Sequence, residues 1–244
     1  MIKRIILLTL LAIFCRHAHS QVLISLILGD NLNSGKVEFG LDGGVNLSEQ
    51  TGLSTHKILP TFNLGFYFDI KLKNAWLIHT GVIVKSSMGA GNLPAYPLGS
   101  PDLDASFEGG SVDRKLNYFN VPIMIKYRFK NHLFVETGPM LGLLYQATDE
   151  FTNTVKGDEL TYRKNIRDNF HPLDAGWMAG VGYRLMKGNG MNLGIRYYAG
   201  FVDVAIDDSG SSVKNQSLYF TVGIPIGVGK AKARAKAKEE ALKE

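Results

Sequence analysis

Eight segments of this chain alternate apolar and polar side chains with a period of two, over 11 to 14 residues each. This period gives a β-strand two different faces, whereas an amphipathic helix needs a period near 3.6. The clearest segment has Val121 and Ile123 on one face and Asn120 and Lys126 on the other. The eight predicted strands are Lys36–Asn46, Thr61–Lys71, Ala75–Lys85, Leu116–Phe129, Leu133–Gln146, Asp174–Leu185, Met191–Val204 and Ser217–Val228.

The connections between these strands alternate strictly between long and short. The long ones are 47–60, 86–115, 147–173 and 205–216, and the short ones are 72–74, 130–132 and 186–190. Tight turns on one side and long loops on the other are typical of bacterial outer-membrane barrels. We therefore predict an all-β fold, an eight-stranded antiparallel up-and-down transmembrane β-barrel. Its short turns and both termini would be periplasmic, and its long loops external.

The distribution of glycine decides which face of the strands is inside. Thirteen strand glycines lie on the polar faces, and the apolar faces carry one, Gly43. An eight-stranded barrel has little interior space, so residues without a side chain are expected to face the lumen. The bulky apolar face then points outward, and lipid must cover it. A soluble barrel with an apolar interior, the main rival, would need the opposite arrangement.

The N-terminus has the organisation of a secretory signal peptide. Two basic residues precede the apolar run Ile5–Phe14, and Ala18 and Ser20 fit the small-residue positions of a cleavage site. Four parts are predicted: a signal peptide (1–20), an N-terminal apolar segment (21–35), the outer-membrane barrel (36–229) and a basic periplasmic tail (230–244). The location predicted is the outer membrane of a Gram-negative bacterium.

The charge distribution argues against nucleic acid as a partner. The formal charge of +5 is concentrated in the signal peptide and the tail, and residues 21–229 carry a net charge of −1. Binding to phosphate backbones requires clustered positive charge. The expected partners are outer-membrane lipid and envelope or secretion proteins. We expect the chain to be a monomer.

The predicted lumen face carries charges of both signs, which must pair in a narrow, poorly solvated interior. A salt-bridged plug is the main interpretation, and a narrow gated ion path or a binding pocket remain alternatives. The predicted network comprises Glu38, Asp42, Asp69, Lys85, Lys126, Arg128, Glu136, Asp174, Arg184 and Arg196.

Outward-facing aromatic residues are predicted to lie at the two membrane interfaces, where their amphipathic rings are favoured. Those near the short turns are Trp76, Phe129 and Tyr183, and those near the long loops are Phe62, Tyr145, Trp177 and Phe201.

No set of residues predicts catalysis, a metal site or a cofactor. His79 is isolated on the lumen face, and no serine or cysteine nucleophile has a matched base. We therefore predict that the chain is not an enzyme, and that it is an outer-membrane barrel with a structural or loop-mediated binding role. Loop 86–115 is interpreted either as mobile or as a recognition loop with Tyr96 and Phe107 as contact residues.

Three prolines, Pro122, Pro139 and Pro225, lie inside predicted strands, where bulges or local gaps are expected because each removes a ladder donor.

The run Leu116–Tyr127, with its Tyr118-x-x-x-Pro122 spacing, resembles a strand of PorT-like outer-membrane β-barrel proteins. Glu136–Gly142, Asp174–Gly176 and Arg196–Gly200 are similar to the same family. The resemblance covers residues 36–228 and implies a membrane barrel. The founding member of that family is linked to a protein-secretion and gliding apparatus. The resemblance therefore implies an alternative function for this chain, as a component of such an apparatus.

Overall fold

The structure is a computed structural model that describes residues 36–53, 57–206 and 212–226. The predicted signal peptide, the apolar segment 21–35 and the tail 230–244 lie outside the described residues. No helix within the described ranges is long and apolar enough to cross a membrane. The elements are β1 (Val37–Thr51), β2 (Leu59–Lys71), β3 (Trp76–Lys85), β4 (Ser87–Pro94), α1 (Pro101–Phe107), β5 (Ser111–Arg128), β6 (Leu133–Val155), β7 (Asp158–Asn165), β8 (Leu173–Arg184), β9 (Asn192–Gly200) and β10 (Lys214–Pro225), with a 3₁₀ turn at Arg167–Asn169 and a helical turn at Leu185–Gly188.

Eight of the ten strands form a closed antiparallel ring. Their order around the ring is β5-β3-β2-β1-β10-β9-β8-β6, and the pairing of β5 with β6 closes it. β4 and β7 stay outside the ring, each paired to one of its strands, β5 and β6 respectively. The predicted fold class, an eight-stranded antiparallel barrel, is confirmed.

The two ends of the barrel differ. The turns that join β2 to β3, β5 to β6 and β8 to β9 are short, and we call this side the short-turn end. The opposite side, which carries β4, α1, β7 and the other connections, is the long-loop end.

The glycine-rich face looks into the ring, as predicted. A Cβ atom on Gly44 would lie 1.8 Å from the backbone oxygen of Phe220, and one on Gly81 would lie 2.0 Å from that of Phe66. At Gly43, on the outward face, the nearest atoms would be 3.4 Å away. Glycine therefore allows neighbouring backbones to approach on the inner side, where a side chain would collide with the next strand.

Two register shifts interrupt the ladders between strands of the ring, both toward the long-loop end. One lies between Leu64 and Gly65 in the pairing of β2 with β3, and the other between Asn117 and Tyr118 in the pairing of β5 with β6. The ladders that join β5 to β3 and to β6 are also interrupted beside Pro122. A register shift matters because one extra residue exchanges the inner and outer faces beyond it.

The long connections 86–115 and 147–173 are largely regular structure. β5 and β6 contain 18 and 23 residues, whereas a membrane crossing needs roughly 9 to 11. Their distal parts pair with β4 and β7, and α1 packs against them. We call this unit, made of β4, α1, β7, Ser111–Asn117 and Gln146–Val155, the extension sheet.

Candidate functional site

Arg196 of β9 is the centre of a charged cluster in the lumen. Its Nε donates to Oε1 of Glu136 on β6 at 2.5 Å, and its Nη1 donates to Oδ2 of Asp42 on β1. β1 and β6 each lie two strands away from β9, on opposite sides. All three side chains are almost fully buried, so the guanidinium group bridges the lumen from wall to wall.

Asp69 of β2 forms a second hub beside the first. Its Oδ1 lies 2.6 Å from His79 Nδ1, and its Oδ2 accepts from Lys126 Nζ at 3.0 Å and from Arg128 Nη2 at 3.3 Å. Lys126 Nζ is also 3.5 Å from Oε2 of Glu136. The ammonium group of Lys126 therefore connects the two hubs.

The hydrogen bonds assign the protonation state of His79. Arg196 Nη2 lies 3.1 Å from His79 Nε2, and a guanidinium group can only donate. Nε2 is therefore the acceptor, and the ring is neutral with its proton on Nδ1, facing Asp69. With His79 neutral, the charges of the cluster balance. The three carboxylates are Asp42, Asp69 and Glu136, and the three cations are Lys126, Arg128 and Arg196.

A separate ion pair joins Glu38 and Arg184 at the short-turn end of the lumen. The guanidinium donates through Nη1 to Oε1 at 2.7 Å and through Nη2 to Oε2 at 2.8 Å. Tyr67 donates its hydroxyl to the same Oε1 at 3.3 Å, and Asn192 Nδ2 donates to that hydroxyl at 3.2 Å. This bidentate geometry is the strongest form of a carboxylate–arginine pair.

The long-loop half of the lumen is filled differently from the polar plug that the sequence predicted. A cluster of buried apolar side chains lies there, and it includes four methionines from four strands. Methionine fills irregular space well because it is unbranched and flexible. The members of this cluster are Met88, Leu116, Tyr118, Met124, Met140, Leu144, Ala147, Ile166, Phe170, Met178, Tyr198, Val204 and Tyr219.

Asp174 is buried in the lumen, but it does not belong to the charge network in which the sequence placed it. Its Oδ2 accepts from Asn215 Nδ2 at 2.9 Å, and the same amide lies 3.3 Å from the hydroxyl of Tyr118. Within the described ranges no lysine or arginine forms an ion pair with Asp174. Its position near the long-loop end separates it from the cations on the other side of the apolar cluster.

Lys85 lies outside the lumen, so its prediction as a lumen residue is wrong. Lys85 pairs with Leu64 on the outward face, and its Nζ stands 5.9 Å from the ring centroid of Phe62. The register shift at Leu64/Gly65 adds one residue on β3, and the alternation changes phase before Lys85. The register shift in the pairing of β5 with β6 likewise reverses the faces of β6 beyond it, so Gln146 is exposed and does not face the lumen.

The outward face carries all the predicted interface aromatics as exposed side chains: Phe62, Trp76, Phe129, Tyr145, Trp177, Tyr183 and Phe201. At the short-turn end, Tyr127 packs against both Trp76 (ring centroids at 4.8 Å) and Phe129 (4.9 Å). Near the long-loop end, Phe119 stacks on Tyr145 at 4.5 Å. Beyond that stack, the outward positions Lys115, Asn117 and Gln146, among others, become polar.

The extension sheet has a small hydrophobic core of its own. Phe107 of α1 is buried with Ala90, Leu93, Val112 and Phe151. Its ring lies 6.0 Å from that of Phe151 and 6.2 Å from that of Tyr162 on β7. Phe107 is therefore a core residue of the extension sheet, and its interpretation as a surface contact residue is wrong. Loop 86–115 folds onto the distal parts of β5 and β6.

A buried ion pair fixes this loop in place. Arg114 donates from Nε to Oδ1 of Asp149 at 2.9 Å and from Nη2 to Oδ2 at 2.7 Å, and Tyr96 donates its hydroxyl to Oδ2 at 3.0 Å. Burial opposes the charge on Arg114, but the hydrogen bonds and the charge of Asp149 raise the pKa of Arg114. Burial and the same carboxylate raise the pKa of Tyr96 well above its usual range.

β7 is the last strand of the sheet, and one of its edges has no neighbouring strand among the described residues. It follows β6 through the two-residue turn Lys156-Gly157, in which both residues have positive φ. Hydrogen-bonded and non-hydrogen-bonded pairs alternate along such a hairpin, and Ile166 N donates to Ala147 O at 3.0 Å. Counting back from Ile166 in steps of two gives the residues that bond to β6. Glu159, Thr161 and Arg163 lie between those residues, so their backbone N–H and C=O groups point away from β6.

Comparison with known proteins decides the family. A family model described as "Outer membrane protein beta-barrel domain" matches residues 28–205. The chain belongs to this outer-membrane β-barrel family. Among solved structures, it is similar to Ail, the attachment invasion locus protein of Yersinia pestis (12% identity over 78% of this chain and 99% of that one, TM-score 0.42). It is also similar to Neisserial surface protein A (12%, 76% and 96%, TM-score 0.41) and to OprG from Pseudomonas aeruginosa (12%, 79% and 95%, TM-score 0.34). No curated protein matched.

Several polar residues that hold this outer-membrane β-barrel together were not predicted from the sequence. Asp149 and Arg114 fell in segments treated as loops, although Asp149 continues the alternation of β6 once the register shift is counted. Gln50 and Asn215 are cross-strand partners on β1 and β10, with Gln50 Nε2 donating to Asn215 Oδ1 at 3.1 Å, and both lie beyond the predicted strand ends. Strands that continue past the membrane give a weaker alternation signal, because both of their faces meet polar surroundings.

Proposed function

We propose that this protein is a non-catalytic, non-conducting outer-membrane barrel whose extension sheet binds another protein outside the cell. In this proposal, the short turns face the periplasm and the extension sheet projects from the cell surface. The observation that carries it is the free edge of β7, which is held in place by a separately packed unit at the long-loop end.

The packing of the lumen supports the non-conducting part of the proposal. The charged cluster and the Glu38–Arg184 pair occupy the short-turn half, and the methionine-rich cluster occupies the other half. Arg184, Tyr67, Tyr118, Tyr198 and Tyr219 are among the largest fully buried side chains. The interior of an eight-stranded barrel is only just wide enough for side chains. A continuous water path would require both halves to rearrange.

The construction of the extension sheet supports a binding role. An edge strand with exposed N–H and C=O groups is a template on which an extended segment of another chain can add as a further strand. β7 is largely exposed along its whole length. It is nevertheless well supported, because Tyr162 packs near Phe107 and Arg163 Nε donates to Glu150 on β6 at 2.8 Å. A rigid edge loses little conformational entropy when a partner strand adds to it.

Site-specific photo-crosslinking in the native host tests this binding mode. A photoreactive phenylalanine analogue at Arg163 is expected to give a light-dependent adduct with a second polypeptide. Thr161→Pro should abolish the adduct, because proline removes an N–H that points to the free edge without breaking the ladder to β6. Thr161→Ala keeps that N–H and should keep the adduct. An adduct that persists in Thr161→Pro, or no adduct from Arg163, would contradict strand addition.

A second candidate function is a role in a secretion or assembly apparatus, and the PorT-like run Leu116–Tyr127 favours it. This role predicts partners on the periplasmic side, because an apparatus must connect the barrel to the rest of the envelope. Crosslinks from Asn74 and Asn131, in two of the short turns, to periplasmic or inner-membrane proteins would support it. A narrow gated pore, the third possibility, is addressed by conductance measurements.

A further inference from the structure

The three short turns carry the same sequence feature at the same end of the barrel. In each turn, an exposed apolar residue immediately precedes an exposed lysine: Leu72-Lys73, Phe129-Lys130 and Met186-Lys187. Leu72 is 54% exposed, Phe129 44% and Met186 78%. The turns belong to three strand pairs spaced around the ring, so the feature recurs around the circumference.

We call the three short turns the rim, and among the described residues no carboxylate pairs with its lysines. The turn segments 70–78, 127–135 and 182–192 contain no aspartate or glutamate. The nearest lumen carboxylates are already engaged, Glu38 by Arg184 and Asp69 by His79, Lys126 and Arg128. Among the described residues, Lys73, Lys130 and Lys187 form no ion pair. By contrast, Lys115, Arg114 and Arg163 at the long-loop end are paired with Asp149 or Glu150.

We propose that this rim binds the headgroups of anionic phospholipids in the membrane leaflet at the short-turn end. The apolar residue of each turn enters the edge of the hydrocarbon, and the lysine next to it reaches the phosphate layer. A lipid layer meets turns spaced around a barrel at one level. The aromatic group of Trp76, Tyr127 and Phe129 lies beside two of these turns and marks the same interface. This inference needs only a membrane-embedded barrel and is independent of what the extension sheet binds.

The two tryptophans allow a local measurement. Trp76 lies at the short-turn end next to Lys73, and Trp177 lies nearer the long-loop end. In a Trp177→Phe variant, Trp76 is the only tryptophan and reports the lipids around the rim. The protein is reconstituted into phosphatidylcholine vesicles with increasing amounts of brominated phosphatidylglycerol, and the quenching of Trp76 gives the binding of this lipid relative to phosphatidylcholine. Brominated phosphatidylcholine serves as the reference lipid.

We expect brominated phosphatidylglycerol to be preferred several-fold at Trp76, and the preference to fall in high salt because it is electrostatic. Replacing all three turn lysines (Lys73→Gln, Lys130→Gln and Lys187→Gln) should remove it. The matched control replaces three lysines of the long-loop end, Lys57, Lys156 and Lys214, with glutamine and should retain it. A Trp76→Phe variant, which reports from Trp177, should show a smaller preference. Equal binding of the two lipids at Trp76, or a preference unchanged by the triple turn substitution in folded protein, would overturn the proposal.

Discussion

Arg196 on β9 and Glu136 on β6 form a hydrogen-bonded ion pair over Gly180 of the intervening strand β8, with Nε 2.5 Å from Oε1 and both side chains almost completely buried. The pair is part of a cluster in which each carboxylate faces at least one cation. Removing one member of such a cluster leaves an unpaired charge in a poorly solvated interior, which costs more than the pair itself contributes.

Arg196→Met is therefore expected to destabilise the barrel by about 3–5 kcal/mol, because Glu136 and Asp42 lose their principal partner. The measurement is urea unfolding in lipid vesicles, followed by tryptophan fluorescence. Lys85→Gln is the matched control. Simple alternation places both Arg196 and Lys85 in the lumen, but in the structure Lys85 is exposed. A similar decrease in the free energy of unfolding in both variants would contradict the arrangement of the cluster.

Gly44→Ala and Gly43→Ala compare two neighbouring positions on opposite faces. The alanine Cβ at position 44 would meet the backbone of Phe220, but at position 43 it would have ordinary contacts. We expect Gly44→Ala to lower the fraction of folded barrel and Gly43→Ala to leave it unchanged, as measured by the heat-dependent gel shift. Equal folded fractions in the two variants would show that β1 and β10 do not approach as closely as described.

Asp149→Asn should loosen the extension sheet without unfolding the ring. The amide cannot balance the charge of Arg114, and it weakens the bidentate contact that holds loop 86–115. Hydrogen exchange should become faster in β4 and α1 and stay slow in β8 and β9. Faster exchange throughout the barrel would instead mean that the extension sheet and the ring unfold as one unit.

Acid should weaken the attachment of β7. Partial burial opposes the charge on Glu150, but Lys115 and Arg163 lower the pKa of its carboxyl group below the ordinary value. A lowered pKa stabilises the folded form above the ordinary value, and this contribution is lost as the pH falls through the folded pKa. Amide protection in β7, corrected for intrinsic exchange rates, should therefore fall between pH 5 and about pH 3. Glu150→Gln should show reduced protection already at pH 6, and protection equal to that of the unchanged protein at pH 6 would contradict this role.

The number of strands in the ring, the inward glycine face and the outward aromatics were predictable from the sequence, because each depends on a local period of two. Lys85 and Gln146 were not, because single-residue register shifts reverse the faces and leave no mark on the local pattern. The partners of Asp174 and Arg196 were not predictable either. Alternation places a residue inside the ring but does not fix its height or its neighbours across the lumen.

The extension sheet was the largest feature that the sequence did not predict. Loop 86–115 is rich in glycine, proline and serine, which is typical of irregular structure. Its order comes from tertiary contacts, namely Phe107 on Phe151 and the Arg114–Asp149 ion pair, which connect residues distant in sequence.

Single-channel recording in planar bilayers is the most direct test of the central claim, that side chains seal the lumen from end to end. Folded protein, verified by its gel shift, is added to the bilayer over a range of voltages in concentrated potassium chloride. The packing of the charged cluster and the methionine-rich cluster predicts no conductance steps above the bilayer background. Reproducible steps that depend on voltage and disappear with unfolded protein would contradict a sealed lumen and favour the narrow gated pore.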